Sequence, residues 1–429
     1  MKALIELLNG SDRVSDWKIN TNRKESYELF FVKGSLETVR CTDTCDTQVT
    51  VYVDHGEYKG DAQFFVYPSD QESQIADKIR EAVEKALLIR NKTYSLPHQE
   101  PAATDASLYT VESNFGQYEP AELAANIANI VFNANAVENG SLNSVEIFIN
   151  KHTQNIRNTG GLNKSQIRYD AMVEAIPTYN GQKESVELYE QYNFSSLDED
   201  ALRAEIAGKM MEVKARYEAV KPDAGLDCPV VLNALELGDL FRNIAYDLNY
   251  ASIYSHSNLF SKGDVIQKDI TGDPIGITMV GSVSGSVKSS AFDGDGLDLG
   301  SIRIVEGGKA VNYFGSNRHG QYLGEIPTGN LGCMVVDAGS ADLSNLSGCT
   351  CLEVISMSGL QVDFFSDYIG GEIRLAYLHE NGRVIPVTGI SISGKLTQVL
   401  PSVRLSDRTV VRDGYSGPDK ALLTGMKIF

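Results

Sequence analysis

The stretch FRNIAYDLNYASIYSHSNLFSKGD, residues 241–264, carries hydroxyl side chains beside a lone histidine. Tyr254, His256 and Ser257 are the parts of a histidine-activated nucleophile. Their spacing works against that chemistry. Neighbours in an extended chain point to opposite sides, so His256 is badly placed to take a proton from Ser257. A polar loop or strand edge is the plainer reading, and no G-x-S-x-G elbow occurs in the chain.

Zinc hydrolysis needs two histidines on one helix face, with a glutamate beside the first to take a proton from metal-bound water. No histidine lies between His152 and His256, so the helix preceding this stretch has no such pair. The one His-Glu dipeptide, His379-Glu380, runs into Asn-Gly, a hairpin turn signal, with no later histidine. A self-contained HExxH or HExxxH hydrolase is excluded on residue identity. Asp293, Asp295 and Asp298 crowd the glycine-rich AFDGDGLDLG, but the segment lacks the fifth-position oxygen and closing glutamate of a calcium loop. A tight acidic turn is expected there. GSVSGSV (281–287) lacks the lysine of a phosphate loop. The close cysteine pairs, Cys41/Cys45 and Cys349/Cys351, have neither zinc-ribbon spacing nor a neighbouring histidine, so buried or half-buried free thiols are expected.

The elements that must carry these residues fall into two compositions. Residues 27–33, 47–55 and 61–68 are rich in aromatic and β-branched side chains and predict strands. A helix follows, with Ser69 and Glu72 in capping-box spacing and Ile75, Ile79, Val83 and Ala86 on one face. The polar connection 95–105 leads to a helix opened by Pro120, strands through SVEIFINKH, QIRYDAMVEAIPTY and ESVELYEQYNF, and a helix bearing Leu202, Ile206, Met210, Val213 and Tyr217. Residues 221–229 form a candidate linker.

A helix over 234–249 comes next, with Asn233 as its cap, Glu236 as reciprocal partner, and a stripe of Leu237, Leu240, Phe241, Ile244, Ala245 and Leu248. Beyond it, short strands and hairpin signals such as EGGK and HENG predominate. The fold class is therefore α+β: an N-terminal α/β-mixed domain (1–220), then a β-rich, mainly antiparallel C-terminal domain (230–429).

At 429 residues two domains are the default. Lys plus Arg number 38 against 57 Asp plus Glu, and a formal charge of −19 disfavours nucleic acid as a partner. No apolar run is long enough to span a membrane, MKALIELLNGSDR predicts a first helix with no signal-peptide cleavage site, and a cytoplasmic location is expected.

The order of these features resembles the TldD/PmbA family, modulators of DNA gyrase and peptidases. YVDHGEYKGDAQFFV with the 69–90 helix, SSAFDGDG, SDYIGGEIRLAYLHENGRVIPVTGISISGKL and the closing LLTGMKIF carry the resemblance across nearly the whole chain. The middle region is richer in insertions than in typical members. The likeness is to the PmbA (TldE) branch. In the TldD branch the helix equivalent to 234–249 carries HExxxH, and a cysteine near the C-terminus is a further zinc ligand. Phe241 and Tyr246 fall near the two histidine positions and Arg242 near the glutamate, while the last cysteine is Cys351. The resemblance therefore implies no catalytic residue and no cofactor in this chain, with zinc expected only in a TldD-like partner. It implies a hetero- or homodimer that binds extended peptides by strand addition, with Tyr254, His256, Ser257, Asp293, Asp295, Asp367 and Tyr368 in the substrate cleft. The alternative is a stand-alone homodimeric peptide-binding scaffold without protease activity.

Overall fold

A computed structural model describes residues 1–98, 107–222, 225–346 and 348–429. Most of connection 95–105, from 99 onward, and positions 223–224 of the 221–229 linker lie outside them. Helix α1 (Lys2–Asn9) precedes three antiparallel strands, β1 (Asp16–Val32), β2 (Ser35–His55) and β3 (Tyr58–Val66), and then α2 (Glu72–Ala86). Strands β4 (Asn91–Lys92) and β5 (Ser107–Thr110) lead to α3 (Pro120–Asn133). Strands β6 (Gly140–Asn158), β7 (Asn163–Tyr179), β8 (Val186–Glu187) and β9 (Glu190–Phe194) then precede α4 (Glu199–Glu218). These strands make one sheet, ordered β4-β3-β2-β1-β6-β7-β5, with β8 and β9 on the far side of β7.

The pleat divides this sheet cleanly. Odd-numbered side chains of β1, β6 and β7, such as Trp17, Ile19, Leu29, Ile147, Ile149, Val173 and Ala175, are buried under the helices. Ile75, Ile79, Val83 and Ala86 of α2 and Leu202, Ile206, Met210 and Val213 of α4 cover them. Even-numbered side chains face away from the helices.

The second half starts with β10 (Val230–Asn233), α5 (Ala234–Asp247) and α6 (Tyr250–Tyr254). Strands β11 (Ile277–Val280), β12 (Ser301–Glu306) and β13 (Lys309–Ala310) follow, then α7 (Asn317–Leu323) and β14 (Cys333–Val336). Next come β15 (Cys351–Met357), β16 (Gln361–Asp363), β17 (Tyr368–Glu380), β18 (Arg383–Val387), β19 (Ile390–Gly394) and α8 (Leu396–Val399). Strands β20 (Arg404–Leu405), β21 (Thr409–Arg412), β22 (Tyr415–Pro418), β23 (Lys420–Leu423) and β24 (Lys427–Ile428) close the chain. They form two sheets, β20-β23-β10-β15-β17-β19-β24 and β13-β12-β11-β14-β22-β21, which share one apolar core with α5. Most pairings are antiparallel; β10–β15 and β14–β22 are parallel. The fold is mixed α+β, as the sequence predicts.

Several local expectations need correction. The α2 capping box is Gln71–Gln74, with Gln71 N donating to Gln74 Oε1 at 2.8 Å. Ser69 sits earlier, in a turn that Asp70 closes by accepting from Tyr67 N at 2.8 Å. Asn233 does cap α5, accepting from Leu235 N at 2.8 Å. Glu236 does not reciprocate: its carboxyl is 3% exposed and Oε2 has no partner. Strands β1 and β2 run well beyond the expected 27–33 and 47–55, through the polar residues 16–26 and 35–46. There a ladder pairing from Asp16↔Tyr52 to Val32↔Ser35 fixes an extended chain that side-chain composition does not reveal. Cys41, Cys45 and Cys349 are exposed, against the expectation of buried thiols; Cys333 and Cys351 are buried and Cys228 half-buried.

Candidate functional site

Strand β10 runs directly into α5, so the Asn233 cap fixes where the helix starts and which face turns inward. Leu237, Leu240, Phe241, Ile244 and Ala245 are 0–2% exposed and fill the core between the two C-terminal sheets. Burial of such a stripe, worth about 1.5–3 kcal/mol for each large side chain, locks the helix rotation. Its other face is thereby presented to a cleft of about 600 Å³. Asp239, Arg242, Tyr246 and Asn249 form the helix wall, and Lys288, Asn330 and the Asp413-Gly414 turn form the opposite rim. Met279, Phe314 and Met334 supply apolar lining. Asp413 (φ 44°) and Gly414 (φ 82°) are the two-residue loop between β21 and β22, and this left-handed pair is what lets the turn close onto the cleft.

The charges here are loosely held. Arg242 Nη1 donates to the Asp413 carbonyl at 3.3 Å, and Nη2 lies 3.6 Å from Asp239 Oδ1. Lys288 Nζ is 4.0 Å from Asp413 Oδ1. Pairs at these distances, open to solvent, contribute at most about 1 kcal/mol, so the groups are free to exchange partners. Beneath the helix, burial pushes the Glu236 carboxyl up to about 7. At the other end Asp247 accepts from Leu259 N (2.7 Å) and Phe260 N (2.8 Å), tying the following strap to α5, and burial raises its carboxyl above the ordinary value.

The residues singled out from sequence are dispersed. Phe241 lies in the core and does not reach the cleft, whereas Arg242 and Tyr246 line it. Tyr254 ends α6 and packs against His319 and Tyr322 at ring distances of 5.7 and 5.1 Å. His256 is exposed with φ 54°, and the Ser257 hydroxyl bonds to Ser255 Oγ (3.0 Å) and the Ser252 carbonyl (3.4 Å) rather than to the His256 ring. Asp367 accepts from Thr397 N (2.8 Å) and Oγ1 (2.7 Å) and borders a separate hollow of about 400 Å³. Tyr368 opens β17 beside it.

Asp293 and Asp295 belong to a latch. The Asp293 carboxylate accepts from the backbone N–H of Asp295 (2.9 Å), Leu297 (3.1 Å) and Asn330 (3.0 Å). Burial raises it despite those donors. Lys18 of β1 reaches Asp295 at 2.6 Å and Lys164 of β7 reaches Asp298 at 2.7 Å, so the acidic turn clamps the second half onto the even face of the first sheet. Phe292, 1% exposed, packs there on Ile156 and Leu162. Asp293 touches the cleft only indirectly, by holding Asn330.

Asp239, Lys288, Asn330 and Asp413 were not read from sequence. Asp239 follows from the face opposite the apolar stripe, three residues before Arg242. The other three come from distant loops and carry no local signal. The cleft offers two carboxylates, amides and two cations, without histidine or cysteine. That set does not fit zinc, because a guanidinium stays protonated and cannot ligate a metal. Among the described residues no three His, Cys, Asp or Glu side chains are grouped to hold a metal ion, and no helix is long and apolar enough to cross a membrane.

Two β-rich sheets around a single helix, preceded by a long-stranded sheet covered by helices, define a known structural class. The whole chain superposes on TldE from Thermococcus kodakarensis with a TM-score of 0.78 at 15% identity, covering 99% of each chain. It also superposes on candidate modulators of DNA gyrase from Bacteroides thetaiotaomicron (TM-score 0.77, 13% identity, 100% of this chain and 97% of the other) and Thermotoga maritima (0.75, 15%, 100% and 99%). At such identities the likeness is one of fold. Residues 225–428 match the family profile described as the PmbA/TldA metallopeptidase C-terminal domain. That profile match spans the C-terminal half, and over the full length the likeness to these proteins is one of fold. No curated protein matches it by sequence.

Proposed function

We propose that this chain is a PmbA/TldE-like, non-catalytic subunit of a cytoplasmic zinc-dependent peptidase assembly, in which it binds extended peptides. One observation carries the reading: the cleft face of α5, the helix that the resemblance equates with the metallopeptidase helix, presents Asp239, Arg242, Tyr246 and Asn249 and no metal-binding set. A half-apolar groove with loosely paired charges suits a peptide backbone and mixed side chains better than it suits bond cleavage. The partner in this reading is a TldD-like subunit that supplies zinc, or a second copy of this chain. Any effect on gyrase then runs through protein, because a charge of −19 repels DNA.

Purification from the native cell, with partner identification and metal analysis of the eluate, tests this. Recovery with an HExxxH-bearing homologue and zinc in the complex is the expected result. Recovery as a lone homodimer without peptidase would favour the scaffold alternative.

A further inference from the structure

On the even face of the first sheet, strand register brings Lys24 (β1), His152 (β6) and Arg168 (β7) into one cross-strand row. Opposed residues on paired strands are about 5 Å apart, which sets Lys24 and Arg168 about 10 Å apart with His152 between them. Asp170, the carboxylate beside this row on β7, is already engaged: it accepts from Asn150 Nδ2 at 2.6 Å and pairs with His152 Nε2. Among the described residues the Arg168 guanidinium and the Lys24 ammonium make no hydrogen bond or close ion pair, and both share the field of Asp170 at longer range. Arg168 is half-buried, and its desolvation draws its pKa down. A half-buried guanidinium without an acceptor is costly in a molecule that has 57 acidic residues available to pair it.

The location adds a second point. Helices α2, α3 and α4 cover the opposite face, and the row lies one step from Gln166, whose side chain donates to Ser290 of the latch segment at 3.0 Å. The row is therefore on the side of the sheet that meets the second half. Two cations about 10 Å apart, carried on long side chains, suit two carboxylates on one face of an extended chain, where residues i and i+2 are about 7 Å apart. A single terminal carboxylate would satisfy only one of them.

We infer that Lys24 and Arg168 form a carboxylate-binding subsite for acidic side chains of an extended peptide. This rests on the peptide-binding reading above and names the substrate class it favours: peptides with two acidic residues two positions apart, on one face of the strand. The guanidinium takes one carboxylate, in the bidentate geometry natural to it, and the lysine takes the other as a point charge.

Fluorescence anisotropy on the full chain tests it, with a labelled twelve-residue Gly/Ser/Val peptide carrying two Asp two positions apart and its Asn counterpart. Each is used with a free and an amidated C-terminus. The Asp peptide is expected to bind on the order of tenfold more tightly than the Asn peptide, and amidation should change little. Arg168→Gln and the exposed, fold-neutral Lys24→Gln should each remove most of that preference while leaving the Asn peptide's affinity unchanged. Equal binding of Asp and Asn peptides, a preference that survives both variants, or a loss that follows amidation would overturn the subsite while leaving peptide binding intact. Failure of every peptide to bind would overturn the peptide-binding reading and the subsite with it.

Discussion

Glu236 gives the sharpest stability prediction. Its carboxyl is 3% exposed in the first turn of α5, Oε2 has no partner, and burial raises it from 4.5 to about 7. In the unfolded chain the group ionises near its ordinary value. Below that value both states are protonated and the carboxyl is neutral with respect to folding. As pH rises toward 7 the unfolded state gains by releasing its proton and the folded state does not. Above 7 both are ionised and the full penalty stands, at about 1.4 kcal/mol per unit, or roughly 3 kcal/mol. Glu236→Gln keeps the shape and removes the charge. It should therefore stabilise the protein by about 2–3 kcal/mol at pH 8 and by little at pH 4.5. With a urea slope of about 3 kcal/mol per molar, that is a midpoint rise of nearly 1 M at the higher pH. Urea titrations of both proteins at the two pH values measure it. A variant that is destabilised equally at both, or whose gain does not grow with pH, would refute the reasoning.

Other predictions follow from packing. Phe292→Ala empties the latch contact with Ile156 and Leu162 and should cost about 3–4 kcal/mol in urea denaturation; a loss below 1 would mean the latch is not docked in solution. A Cβ at Gly60 would sit 1.8 Å from the Ala86 carbonyl at the end of α2, so Gly60→Ala should destabilise by about 1–3 kcal/mol or more, while Gly208→Ala, in open space on α4, should stabilise by about 0.5–1 kcal/mol; thermal melts of the pair should move in opposite directions. A thiol reagent should modify Cys41, Cys45 and Cys349 rapidly in the native protein and spare Cys333 and Cys351, the latter also held back by a thiol raised to about 11.

Much of this architecture was legible where sequence pattern and burial obey the same period. The stripe from Leu237 to Leu248 forms the buried face of α5, and HENG makes its hairpin turn with Asn381 and Gly382 at φ 52° and 73°. The extent of β1 and β2 was not legible, because residues 16–26 and 35–46 are held by ladder pairing that their polar side chains do not announce. The cleft was legible on one side only. Arg242 and Tyr246 share a helix face and could be placed together, but Lys288, Asn330 and Asp413 reach the same space from loops scattered over more than a hundred residues. The dispersal of Tyr254, Asp293 and Asp367 has the same cause: each is a turn or cap residue whose partners are set by tertiary register. Asp293, for example, spends its carboxylate on three backbone amides.

The central claim is that this chain binds peptides but does not cleave them, and peptide hydrolysis in reconstituted mixtures tests it most directly. The purified chain, an HExxxH-bearing homologue from the same cell, and a one-to-one mixture are each incubated with an unstructured peptide, with and without a zinc chelator. Cleavage by the mixture alone, abolished by the chelator and restored by zinc, is the predicted result. Robust cleavage by this chain alone in the presence of the chelator would contradict it.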